Sequence, residues 1–203
     1  NSATRSLRIW SAGCSTGEEP YSLAILVSEL LPPQRHWHVV IVGTDVNKHA
    51  IAAARRGIYR EHSLRTLDPD LRKRYFHQYR SDWELEAGFR SMVSFRQVNL
   101  LRDPFPDPTT NLTEIDLILC RNVFIYFDRA TIAPIITKFT NSLKVGGYLV
   151  TGHAELHDQK PSGLAVKTFP ESIVYCRNQA PTRASQTKPL QAQTRGATSI
   201  LPP

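Results

Sequence analysis

Apolar positions along this chain fall into two alternating patterns. Leu7-Arg-Ile-Trp-Ser-Ala12 is a short run closed by Gly13 and reads as a first strand. Behind it, Tyr21, Leu23, Ala24, Leu26, Val27, Leu30 and Leu31 recur at helical spacing; Pro20 suits a first helical position and Pro32-Pro33 a stop. Val39-Val-Ile-Val42 is continuously β-branched, the mark of a strand buried on both faces of a parallel sheet. A short Ala-rich helix follows from about Asn47 to Arg56, halted by Gly57.

From Glu61 to Phe95 the alternation breaks. A helical patch covers Asp70 to Phe76, and Trp83 to Arg90 predicts a β-hairpin turning at Ala87-Gly88, as in an insertion on the main framework. Strand patterns resume at Val93 to Val98 and at Ile115-Asp-Leu-Ile-Leu-Cys120, which leads into Arg121-Asn122. Arg129 to Leu143 is an amphipathic helix that Pro134 either kinks or starts late. Lys144 to Gly147 reads as a turn, Tyr148 to Thr151 as a strand, and Val174-Tyr-Cys176 as a last short strand. The sum predicts an α/β fold, a doubly wound and mostly parallel sheet with helices on both faces.

Composition changes this picture at the C-terminus. From about Asn178 the chain turns to Gln, Thr, Ser, Ala and Pro, a mixture that cannot bury enough surface to order itself. The folded domain is therefore expected over 1–177, with 178–203 a disordered tail or linker. The tail also explains much of the charge. Residues 177–203 hold four of the seven net positive charges, leaving +3 for the body. No basic stripe interleaved with aromatics is present, so nucleic acid is not the expected partner. No apolar run approaches the roughly 18 residues of a membrane span. Cys14, Cys120 and Cys176 are odd in number and sit in apolar runs, which points to buried thiols and a reducing, cytoplasmic compartment. His153-Ala-Glu-Leu-His157 lacks the His-Glu adjacency of a zinc motif, and no metal is expected.

The chemistry should lie beyond the carboxyl ends of the parallel strands. The first loop, Gly13-Cys-Ser-Thr-Gly17-Glu18-Glu19, has no Lys for a phosphate cradle and no GxGxxG for a dinucleotide. Two glutamates at a helix start would repel a pyrophosphate but suit a ligand carrying an ammonium. S-adenosylmethionine has an ammonium and a sulfonium and no phosphate. Asp45 stands where a ribose-binding acid belongs, and Asn99 and Asn122 are amides able to pair with an adenine edge. Each has an ordinary alternative: dipole stabilisation for the glutamates, an N-cap for Asp45, turn roles for the asparagines. Their meeting at one sheet edge favours the cofactor. Tyr126 reads equally well as a core aromatic or as a hydroxyl at the reacting centre.

Ser11-Ala-Gly-Cys-Ser-Thr-Gly-Glu-Glu-Pro-Tyr-Ser22, Gly57-Ile-Tyr59, Arg74-Tyr-Phe76, Val98-Asn-Leu-Leu101, Cys120-Arg-Asn-Val-Phe-Ile-Tyr-Phe-Asp128 and Gly152-His-Ala-Glu155 together closely resemble the CheR-type chemotaxis receptor methyltransferases. The resemblance runs over nearly all of residues 7–176. It implies a Rossmann-like class I methyltransferase that esterifies receptor glutamates with S-adenosylmethionine and releases S-adenosylhomocysteine. Cofactor contacts are implied at Ala12, Gly13, Glu18, Glu19, Asp45, Asn99, Leu100, Arg121 and Asn122. Tyr126 and Arg121 are implied beside the reacting centre. The partner would be the cytoplasmic helical region of a methyl-accepting chemotaxis receptor, approached by basic residues such as Arg55, Arg56, Arg60, Arg65, Arg72, Lys73 and Arg74. The family's inserted β-subdomain falls on about residues 77–97. Its turn at Glu86 to Phe89 looks short, so tethering through a receptor pentapeptide is not expected. The family's helical N-terminal domain is not among these residues, and the chain opens on Asn1, so it reads as a piece of a longer protein. The rival reading is a cofactor-binding or docking module in a larger signalling protein, with little turnover of its own.

Overall fold

The computed structural model describes residues 5–32, 36–152, 155–156, 162–170 and 172–178. A seven-stranded sheet runs through it. Its strands are β1 (Ser6–Ala12), β2 (His38–Asp45), β6 (Val93–Gln97), β7 (Ile115–Cys120), β8 (Leu143–Thr151), β9 (Leu164–Phe169) and β10 (Ser172–Arg177). Their order is β6-β2-β1-β7-β8-β10-β9, with β6 to β8 parallel and β10 antiparallel to both its neighbours. The doubly wound, mostly parallel prediction therefore holds.

Two apolar layers cover the sheet. Helix α1 (Glu18–Leu30) and helix α2 (Lys48–Arg56) bury Tyr21, Ala24, Val27, Ile51 and Ala54 against Ile9, Ile41 and Phe95. On the other face, helix α5 (Arg129–Ser142) buries Ile132, Ile135, Ile136 and Phe139 against Trp10, Ile118 and Leu149. Burial of a large side chain contributes roughly 1.5–3 kcal/mol, so these two faces carry most of the fold's stability. Trp10 sits edge-on to Phe105 and Phe139 at 5.0 Å from each, and its indole N–H donates to Thr44 Oγ1 at 2.9 Å, so its one polar atom is satisfied.

The helix limits follow from local chemistry. Asn47 caps α2 by accepting from the His49 and Ala50 amides, and Gly57 closes it in the left-handed conformation at φ 62°. Helix α5 starts at Arg129, capped by Asp128, with Pro134 inside it; the late-start alternative is corrected. Helix α1 starts at Glu18, two residues before Pro20. A proline in the first turn loses an N–H that had no helical partner anyway, so it need not be the first residue.

The insertion is where the sequence reading fails most. A three-stranded sheet is formed by β3 (Ile58–Tyr59), β4 (Phe76–Tyr79) and β5 (Asp82–Leu85), in the order β3-β5-β4. The hairpin turns at Arg80-Ser81, between the paired Tyr79 and Asp82, and not at Ala87-Gly88. Ala87–Ser91 forms the short helix α4, and helix α3 (Pro69–Tyr75) precedes β4. The small sheet thus begins at Ile58, and Val93–Gln97, inside the 77–97 limits expected for the subdomain, belongs instead to the main sheet beside β2. The ground for excluding a pentapeptide tether, a short turn at Glu86 to Phe89, falls with the hairpin it assumed. Strand β9 was not predicted at all. Of the expected tail only Asn178 is among the described residues.

Candidate functional site

The carboxyl ends of β1, β2, β6 and β7 meet at one edge of the sheet, where the following loops enclose a cleft of about 670 Å³. That size is typical of a small-molecule site. The first loop is bent over the end of β2 by the Gly13 and Cys14 amides, which donate to Thr44 O at 2.7 and 2.8 Å. Gly13 has φ 80°, and a Cβ there would lie 2.3 Å from Val123 Cγ2, so the position admits no side chain. Gly17, at φ 96°, is the N-cap that turns the chain into α1 and delivers Glu18 and Glu19 to the cleft.

Glu19 is the more enclosed of the two. Its Oε1 accepts from the Ser11 hydroxyl at 2.7 Å, and its Oε2 lies 3.7 Å from Arg121 Nη1. Burial raises its pKa above the usual carboxylate value, opposed by the Ser11 hydrogen bond and the Arg121 charge. Glu18 is exposed and accepts from the Thr16 hydroxyl. A carboxylate that is costly to ionise, facing an open cleft, is suited to receive a cation.

Asp45 ties two loops together. Its Oδ2 accepts from the Ser15 amide at 2.9 Å and its Oδ1 from the Asn47 amide at 2.8 Å. The N-cap alternative for Asp45 is thereby settled, because Asn47 caps α2. Asn99 uses its side-chain oxygen to accept from the Leu101 and Arg102 amides, so that oxygen serves the turn and only the NH2 group remains for an adenine edge. Asn122 holds φ 59° at the end of β7. Phe124 is buried in the core, and the 3-10 turn Phe124–Tyr126 then sends Tyr126 outward, 79% exposed at the cleft mouth. Tyr126 is not a core aromatic.

Of the ten residues expected at the site, Gly13, Glu18, Glu19, Asp45, Asn99, Leu100, Arg121, Asn122 and Tyr126 line this cleft. Ala12 is buried in the core behind it and forms no part of the lining. The sequence reading missed Val46, Leu101, Val123 and Phe127, apolar lining residues adjacent in the chain to those it found. It also missed Ser11, whose partner could have been suspected from its place at the end of β1, opposite the start of α1. The cysteines are buried and free, as expected. Burial, with the Asp45 charge next, pushes the Cys14 thiol up to about 12, so it lines the cleft as a neutral group. Arg55, Arg72 and Arg74 of the basic set bond internally, to Phe95 O, Glu61 and Glu29. His153 and His157 lie outside the described residues, among which no metal-binding cluster occurs. No helix among the described residues is long and apolar enough to cross a membrane.

The donor set fits S-adenosylmethionine on its own chemistry: carboxylates for the ammonium, a second acid for the ribose, and an amide with apolar neighbours for the base. Comparison with known proteins agrees. The family model "CheR methyltransferase, SAM binding domain" matches residues 1–171. The chemotaxis protein methyltransferase of Borreliella burgdorferi is 39% identical over 157 residues, covering 76% of this chain and 54% of the relative. That of Salmonella typhimurium is 40% identical over 154 residues, covering 73% and 51%. The chain therefore spans about half the length of these curated relatives. A solved structure described by the conversion of a disulfide bond into a thioacetal group during echinomycin biosynthesis aligns with a TM-score of 0.50. At 13% identity, over 84% of this chain and 76% of that one, the likeness concerns the fold alone.

Proposed function

The chain belongs to the CheR methyltransferase family and contains its SAM-binding domain, and on that premise we propose that it transfers methyl groups from S-adenosylmethionine to glutamate side chains of chemoreceptors. The observation that carries this reading is the pairing of Glu19 and Asp45 across one cleft. The first is partly desolvated at a helix start, and the second is fixed between two loops at the end of β2. Glu19, steadied by Ser11 and Arg121, holds the ligand's ammonium. Asp45 accepts from the ribose hydroxyls. Asn99 and Leu100 border the base.

S-adenosylmethionine supplies an electrophilic methyl group on a sulfonium. A receptor glutamate has an ordinary pKa near 4.3, so at neutral pH its carboxylate is already the nucleophile and needs no general base. With S-adenosylmethionine bound, one carboxylate oxygen would take the methyl carbon as the carbon–sulfur bond gave its electron pair to sulfur, so that no proton need move and the chain's residues need supply no base. The products are a γ-methyl ester and S-adenosylhomocysteine. Catalysis is then alignment and exclusion of water. Tyr126 and Arg121, both at the mouth, orient the incoming carboxylate. The receptor presents that glutamate on a helix of its cytoplasmic region, in the cytoplasm.

The test is calorimetric titration with S-adenosylhomocysteine on the wild type and Asp45→Ala, followed by transfer of labelled methyl to a receptor cytoplasmic fragment. Saturable binding lost in the variant, with base-labile label on glutamate, is the expected result. Tight binding with no transfer by the full-length protein would leave a cofactor-sensing module in place of an enzyme.

A further inference from the structure

One wall of the cleft, Asn99 to Leu101, is a single turn of backbone. It is closed on one side by its own groups: the Asp103 amide donates to Asn99 O at 2.9 Å, and the Asn99 amide donates to Asp103 Oδ2 at 2.8 Å. The carbonyls leaving the turn have no following helical turn to supply donors. One cation takes three of them. Lys138, on α5, places Nζ 2.8 Å from Leu100 O, 3.1 Å from Leu101 O and 2.9 Å from Asp103 O. The same ammonium stands 4.4 Å from the centroid of the buried Phe105 ring. An ammonium has three protons, so its donors are fully used on this one loop.

We propose that Lys138 is a positioning residue for the cofactor: from behind the cleft it fixes the Asn99–Leu101 wall on which the adenosyl half rests, without touching the ligand. The inference rests on the cleft being the S-adenosylmethionine site. Two features separate this role from general stability. All three partners belong to the cofactor-facing loop, 35 to 38 residues away in sequence. Helix α5 itself is seated through Ile132, Ile135, Ile136 and Phe139, which do not depend on the ammonium. Loss of Lys138 should therefore release the loop and leave the helix in place.

Calorimetric titration of wild type, Lys138→Met and Lys138→Gln with two ligands tests this. S-adenosylhomocysteine carries both halves of the cofactor, whereas methylthioadenosine carries the adenosyl half without the amino-acid group. Lys138→Met is expected to weaken both ligands about tenfold, the scale of hydrogen bonds from a charged donor. Lys138→Gln keeps an amide donor on a shorter stem and should weaken both about threefold; it decides the matter if the Met variant does not fold. Glu19→Gln, as a control, should weaken S-adenosylhomocysteine alone. Unchanged affinity in the Lys138 variants, or loss for S-adenosylhomocysteine only, would overturn the positioning role. Failure of the wild type to bind either ligand would instead overturn the cofactor reading beneath it.

Discussion

Ser11 and Glu19 are joined by a 2.7 Å hydrogen bond from the last turn-facing hydroxyl of β1 to the first turn of α1. The serine is fully buried, so it has little freedom to point elsewhere. This bond and the Arg121 contact offset part of the cost that burial imposes on the Glu19 carboxylate. Ser11→Ala removes the buried donor and leaves the carboxylate to Arg121 alone. A hydrogen bond to a charged group is worth roughly 1.5 kcal/mol, so S-adenosylhomocysteine affinity should fall about tenfold by calorimetry.

The raised pKa of Glu19 also sets a pH dependence. On the proposed reading the ligand's ammonium favours the carboxylate over the neutral acid, so binding is strongest where Glu19 is ionised and draws its pKa back down. Affinity should weaken as pH falls through the raised value, and Glu19→Gln should flatten that limb of the profile.

Folding carries the opposite sign. A carboxyl whose pKa is raised in the folded chain contributes stability below its unfolded pKa and loses it as pH rises through the folded value. At neutral pH the ionised Glu19 therefore costs stability in the ligand-free chain. Glu19→Gln should raise Tm at pH 7, and the gain should shrink as pH falls through the raised Glu19 pKa and the wild type is itself protonated. A Tm gain that persists in acid would show that the effect is not ionisation. A more stable variant with a weaker ligand is the usual consequence of a charge placed for binding.

Tyr126 should act in turnover and not in cofactor affinity, because its ring is 79% exposed at the cleft, whereas Glu19, Asp45 and Asn99, proposed to meet the ligand's ammonium, ribose and base, are less exposed. Tyr126→Phe is expected to slow methyl transfer roughly tenfold, the worth of one orienting hydrogen bond to a charged group. S-adenosylhomocysteine binding should stay within about twofold. A large loss of affinity with normal turnover would reverse the assignment.

What the sequence made legible was whatever rests on periodicity and local motif. The parallel strands, α1, α2 and α5 follow from apolar spacing, and the first loop and Cys120 to Asp128 place most of the cleft. Three things were hidden for physical reasons. Strand β9 is an edge whose residues from Val166 to Phe169 are exposed, so no buried face marks it. The small sheet depends on the pairing of Ile58–Tyr59 with residues about 25 positions later, and Ala87-Gly88 mimics a turn while lying in a helix. Lys138 bonds only to carbonyls, which every residue has, so no side-chain pattern announces it.

The contact between Gly13 and Val123 gives the sharpest steric prediction. Gly13 holds φ 80°, a conformation costing an L residue roughly 1–2 kcal/mol, and its absent Cβ would fall 2.3 Å from Val123 Cγ2. Gly13→Ala thus meets two separate penalties, one in its own backbone and one against the loop carrying Asn122 to Tyr126. It should lower Tm by roughly 5 °C, taking about 2 kcal/mol and the usual scaling for a domain of this size. It should also weaken S-adenosylhomocysteine at least tenfold by displacing the first loop. Val123→Ala removes the clashing methyl but leaves φ unchanged. The double variant should therefore recover most of the affinity and only part of the Tm, a non-additivity expected of residues in direct contact. Full additivity of the two substitutions would mean that the first loop and the Asn122–Tyr126 loop do not press on each other as their geometry requires.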